Sequence, residues 1–194
     1  AITISLIIMI MLFVSSVNKY LLLNISLFGI IGLITKILFT PHAISRIINW
    51  NDIQKIQSLN AFGTGGFFGS GLGDSIIKNG YLPQAHTDFI LPIVGEELGF
   101  MGILVVFSLF WLLYIQGIKV MKEAPDLFSM LLPLGIIVSI MIYFIINAAY
   151  VIGLAPTTGL PMPFISYGGS HTIFTLMSMG ILLNICKKGK SRKN

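Results

Sequence analysis

The sequence predicts an all-α polytopic integral membrane protein, with about five transmembrane helices and one large extracytoplasmic loop. Three observations carry that reading. Hydrophobic residues make up 55% of the 194 residues and charged residues only 10%, against roughly 25% charged in a typical soluble domain. The mean hydropathy is +0.92. The apolar residues also gather into five separated runs, to be set against the roughly 20 residues that cross a bilayer as a helix. A chain so poor in charge cannot cover a surface facing water. Backbone groups immersed in hydrocarbon must pair within their own segment, so each run is expected to be a helix.

The first run, residues 1 to about 16, is short. It begins with Ala and has no basic segment ahead of it, so a piece of a longer polypeptide is expected rather than a signal peptide. The second run covers about 21–40 and stops at Pro41, with Lys36 near its end placed to snorkel to the interface. The third covers about 98–120, the fourth about 127–154 and the fifth about 164–186. The whole chain reads as a single membrane domain in which residues 41–97 form an outer cap. One cysteine, Cys186, excludes an intrachain disulfide.

Five spans put the two ends on opposite sides. If the tail KKGKSRKN is cytoplasmic, Lys19, Lys119 and Lys122 lie on its side, which places eight of the twelve Lys and Arg residues inside and satisfies the positive-inside rule. The net charge of +5 does not point to nucleic acid, because the basic residues sit in short clusters between apolar runs. Residues 41–97 then face outward. Trp50, Phe62, Phe67, Phe68, Tyr81 and Phe89, together with many glycines, suggest a folded cap that is re-entrant or lies on the membrane surface.

Within that cap, GTGGFFGSGLGDS satisfies neither G-x-G-x-x-G nor G-x-x-x-x-G-K-[ST], so a nucleotide-binding loop is excluded. Two readings stay open: an interfacial turn, or backbone N–H groups lining a groove for a lipid pyrophosphate. In His86-Thr87-Asp88, Thr87 would cap a helix and leave Asp88 in its first turn. A carboxylate at a membrane surface is also a candidate functional group, able to take a proton from a sugar hydroxyl. His42, His86 and His171 show no paired spacing for metal ligation. Glu96 and Glu97 begin the third run, either as an interfacial turn or to hold a divalent cation or a basic side chain near Asp88. Eight helical residues rotate Glu96 by about 80° from Asp88, which favours it over Glu97, although Pro92 is expected to bend the path. In GLAPTTGLPMPFISYGGS, prolines fix an extended lead into the last run, and Gly168 and Gly169 would let another helix approach closely. Asn147, deep in the fourth run, is expected to hydrogen-bond between helices.

YLPQAHTDFI, GEELGF and GLAPTTGLPMPFISYGGS, in that order and preceded by RIINWNDIQKIQSLNAFGTGGFFGSGLGDS, resemble the SEDS family of shape, elongation, division and sporulation proteins, which includes FtsW, RodA and SpoVE. The likeness covers nearly the whole chain and is nearest to the FtsW branch. It implies the last five helices of a ten-helix fold. The implied activity is a peptidoglycan glycosyltransferase that polymerises lipid II during septal wall synthesis and releases undecaprenyl pyrophosphate. The implied setting is the bacterial cytoplasmic membrane, beside a class B penicillin-binding transpeptidase and other divisome proteins. Asp88 falls on the family's essential loop aspartate, with the implied role of general base on the acceptor sugar's 4-hydroxyl. Lys78, His86, Thr87, Glu96, Glu97, Ser166 and Tyr167 are the candidates for holding the substrate. A divalent cation, Mg or Mn, would help neutralise the pyrophosphate, and no organic cofactor is expected. The chain departs from the family pattern at Gln84, Leu91-Pro92, Tyr143 and His171. A lipid II flippase is a rival reading, but transport would require polar residues along a path through the spans, and these runs offer few. A scaffold or inactive remnant that recruits a transpeptidase is another.

Overall fold

In a computed structural model, which describes residues 2–15, 18–39, 53–75, 87–124, 126–156 and 158–191, the described elements are all helical. They are α1 (Ile2–Val14), α2 (Lys19–Phe39), α3 (Ile53–Gly65), α4 (Ile90–Lys122), α5 (Leu127–Val151) and α6 (Gly169–Ser191). Among them α4, α5 and α6 are long and apolar enough to cross a membrane, while α1 and α2 contribute shorter apolar stretches. Large apolar side chains such as Leu104, Leu109, Phe174 and Leu183 are exposed on these helices, as expected where lipid replaces water as the solvent. The five runs therefore appear as helices in the expected order. The protein is a multi-pass membrane protein.

Contacts divide the chain into two compact units. The first comprises Ala1–Ile48, Tyr114–Ile142 and Leu176–Asn194, and the second Asn49–Leu113 and Tyr143–Thr175. In the first unit, Asn18 caps α2 by accepting the Tyr20 N–H on its side-chain oxygen. Asp126 caps α5 by accepting both the main-chain N–H and the hydroxyl of Ser129, at 3.0 and 2.9 Å. These bonds satisfy donors that a helix start leaves orphaned. Gly117 lets α4 approach α5 so closely that a Cβ there would collide with Ile137, the small-residue packing typical of membrane helices.

The second unit holds the candidate site. Helix α4 begins at Ile90, eight residues earlier than the apolar run suggests, because GEELG continues the helix before the span starts. The chain then breaks at Gly99, where φ is 66° and ψ is −163°. From there to Lys122 the helix is about 35 Å long at 1.5 Å per residue, enough to cross the roughly 30 Å hydrocarbon core. Pro92 does not make the bend. It sits buried in the first turn of α4, where a missing N–H costs nothing. At the other end, α6 starts at Gly169, so Gly168 and Gly169 form the mouth of that helix rather than an interior contact face.

Candidate active site

Asp88 lies in the turn 87–89 immediately before α4, not within the first helical turn. Phe89, 3% exposed, anchors that turn, with its ring edge-on to Tyr150 at a centroid distance of 5.6 Å. The main-chain carbonyl of Asp88 accepts hydrogen bonds from Asn147 Nδ2 at 3.0 Å and from the Tyr150 hydroxyl at 2.6 Å. The same two side chains reach the carbonyl of Leu160, at 2.7 and 3.1 Å. The last turns of α5 thus fasten the Asp88 turn to the loop between α5 and α6. That loop brings Gly159 against the carboxylate: a Cβ at Gly159 would lie 3.4 Å from Asp88 Oδ2, and its φ of +67° also favours glycine. Partial burial raises the Asp88 pKa above the ordinary carboxylate range by disfavouring the charged form.

The glycine run makes main-chain bonds to α4. In an unbroken helix the N–H groups of Phe100 and Met101 would donate to Glu96 and Glu97. Across the Gly99 break they donate instead to Gly66 and Phe67, at 3.0 and 3.3 Å, while the carbonyls of Glu96 and Glu97 accept from Ser70 N and Gly71 N, at 2.9 and 3.1 Å. The loop is spliced into the helix ladder. Gly69 N and Asp74 N also donate to main-chain carbonyls, so these four N–H groups are directed inward and not towards a phosphate. The backbones approach so closely that a Cβ at Gly65 or Gly69 would run into the carbonyl of Gly95 or Glu97.

Glu96 belongs to this splice. It is 1% exposed, and its carboxylate accepts the hydroxyl of buried Ser75. Its carbonyl also accepts the Ser70 hydroxyl at 3.0 Å. Glu96 lies six residues into α4, about 9 Å along the axis from its start at Ile90. Glu97 is half-buried on the same turn. Ser75→Ala is expected to lower stability by about 1–3 kcal/mol, the cost of removing a partner from a buried polar group. The shift of the thermal unfolding midpoint in detergent measures it.

Ser166 and Tyr167 sit on the far loop. Ser166 is 5% exposed, and its hydroxyl accepts the Met162 N–H at 2.7 Å while its own N–H donates to Met162 O at 3.1 Å. This pair closes the turn after Pro161. Tyr167 is exposed and lines an open, mostly apolar groove of about 700 Å³ that begins at Ile90 and continues along Gly168, Gly169 and Ile173. The groove thus sets Ser166 and Tyr167 beside Ile90, two residues after Asp88, while the Glu96 carboxylate lies in the loop splice. Lys78 and His86 lie outside the described residues. Thr87 is half-buried beside Asp88.

Sequence reasoning missed Tyr150, Leu160 and Gly159. A tyrosine near the end of a span looks like an interface anchor, and the signal that could have corrected this is its spacing of three from Asn147, which puts both on one helix face. Tyr143 and His171, two departures from the family pattern, face each other with ring centroids 5.6 Å apart.

A divalent cation finds little protein to hold it. Among the described residues no group of three or more His, Cys, Asp or Glu side chains gathers, and the Glu96 carboxylate is engaged by Ser75. Such an ion would be held chiefly by substrate phosphates and water.

Comparison with known proteins agrees with this architecture. The family model described as a cell cycle protein, FtsW/RodA/SpoVE, matches residues 1–191. A probable peptidoglycan glycosyltransferase FtsW of Trichlorobacter lovleyi is 40% identical over 197 residues, covering 95% of this chain and 51% of that protein. Stage V sporulation protein E of Bacillus subtilis is 42% identical over 187 residues, covering 92% and 51%. The chain spans about half the length of these relatives. A solved structure described as "Structural coordination of polymerization and crosslinking by a peptidoglycan synthase complex" matches with a TM-score of 0.69 at 24% identity, covering 92% of this chain and 52% of that one, a likeness of fold.

Proposed function

Because the chain belongs to the FtsW/RodA/SpoVE family, we propose that it carries the catalytic loop of a peptidoglycan glycosyltransferase that polymerises lipid II during septal wall synthesis. The observation that supports this most is the placement of Asp88. Its carboxylate is set outside the spans, partly buried and backed by Gly159, and its main-chain carbonyl accepts hydrogen bonds from the Asn147 and Tyr150 side chains of α5. Ionised Asp88 takes the proton of the acceptor sugar's 4-hydroxyl as that oxygen attacks the anomeric carbon of the donor, and undecaprenyl pyrophosphate leaves. The groove from Ile90 to Ile173 gives apolar parts of the substrate a place beside the base. A Mg or Mn ion held by the substrate's phosphates and water would supply charge neutralisation for the leaving pyrophosphate.

Residues 41–97 would face outward and the C-terminal tail the cytoplasm, in the bacterial inner membrane, with a class B transpeptidase and divisome proteins as partners. Asn147, the polar group expected within a span, lies one turn from the end of α5 and directs its amide to two loop carbonyls, which favours polymerisation over a transport path. The test is incubation of labelled lipid II with the encoded protein and its transpeptidase in liposomes. Glycan chains are expected, and movement of lipid II across the bilayer without polymer would contradict the proposal.

The pH dependence has a definite sign. A general base works when ionised, so the rate falls as pH drops through the Asp88 pKa. Burial raises that pKa in the substrate-free protein, which moves the acid limb of kcat/KM to higher pH than an ordinary aspartate would give. Initial rates across pH in matched buffers check it.

A further inference from the structure

We propose that Asn147 and Tyr150 form a positioning clasp for Asp88, an inference that rests on the catalytic reading of Asp88. The two residues lie one turn apart on α5 and are 0% and 1% exposed. Neither is offered to substrate. Both act on main chain: each donates to the carbonyl of Asp88 and each also reaches the carbonyl of Leu160, while Asn147 Nδ2 lies 2.7 Å from the Tyr150 hydroxyl. Two side chains from one rigid helix thereby join loops 72 positions apart in sequence, the step from 88 to 160.

The orientation of the Asn147 amide has one sensible solution. Turning it over would aim Oδ1 at two carbonyl oxygens, acceptor against acceptor. With Nδ2 facing the carbonyls, Oδ1 is buried with no hydrogen-bond partner among the described residues. A buried acceptor left unpaired is unfavourable, and it is tolerated here because the other end of the amide is needed on both loops. The consequence is geometric. Holding Leu160 fixes Gly159, whose backbone lies beside the Asp88 carboxylate, so the clasp sets both the height of the base and the wall behind it. Rigid support of this kind affects the chemical step, and a misplacement of about 1 Å can cost about 10²-fold in rate.

The test uses the encoded protein with its transpeptidase partner in liposomes, with rates divided by the number of lipid II binding sites titrated in the same sample. Asn147→Ala is expected to lower kcat by about 10²-fold while KM stays within about threefold. Tyr150→Phe, which keeps the ring against Phe89 and removes one hydroxyl, is expected to lower kcat by about fivefold. Asp88→Asn runs beside them. Should Asn147→Ala keep more than half of the normal kcat while Asp88→Asn is inactive, the clasp is overturned and the catalytic reading stands. A loss in Asn147→Ala that follows the loss of titrated sites, or falls on KM alone, also overturns it. Activity in Asp88→Asn removes the catalytic reading and the clasp together.

Discussion

Gly69→Ala destabilises the protein by about 3 kcal/mol or more, enough to deplete it from membranes. Two penalties add. The φ of +84° at Gly69 is a left-handed conformation, which costs an L-residue about 1–2 kcal/mol. The new Cβ would also meet the carbonyl of Glu97, a main-chain atom, and overpacking of this sort costs about 1–3 kcal/mol. Relief would require the loop to withdraw from α4, and the four exchanged bonds at the Gly99 break would be lost with it. Gly63→Ala is the control. It lies within α3 with open space around it, so alanine there is expected to be neutral or stabilising by up to about 1 kcal/mol. Membrane yield and thermal unfolding in detergent distinguish the pair, and equal behaviour of the two variants would dismiss the splice as a structural element.

Asp88→Asn lowers lipid II polymerisation by about 10²–10⁴-fold, the range that a general base contributes, without loss of stability. The separation follows from linkage. A carboxyl whose pKa is raised by burial adds most to stability below its unfolded pKa, and that contribution is lost as pH rises through the folded value. At neutral pH the ionised group therefore works against the fold, and the isosteric amide removes that burden. The Asp88 main-chain carbonyl still accepts the bonds from Asn147 and Tyr150, so the turn is kept. Unfolding midpoints equal to or above the unsubstituted protein's, together with lost glycan synthesis, are the expected pair of results.

Much of this architecture was legible because membrane solvation is a blunt constraint: five apolar runs had to be helices, and they are. Asp88 and Glu96 both stood out as carboxylates in an otherwise greasy chain. What the charge of Glu96 did not reveal is its partner, Ser75, 21 residues away in a loop whose path depends on long-range main-chain bonds. The loop splice carries no periodic signature, since glycine spacing tells of close approach without saying which backbone approaches. Asn147 was recognised as polar within a span, but its partners are carbonyls, which every residue has. Main-chain acceptors leave no mark in a sequence.

The central claim is that Asp88 is the base. Its most direct test is the initial rate of glycan synthesis from labelled lipid II by the encoded protein with its transpeptidase partner, comparing Asp, Asn and Glu at position 88 at equal titrated binding sites. The expected results are a rate lower by about 10²–10⁴-fold with Asn and partial activity with Glu, whose carboxylate remains but is displaced. Glycan synthesis by the Asn variant at a rate near that of the unsubstituted protein would contradict the claim.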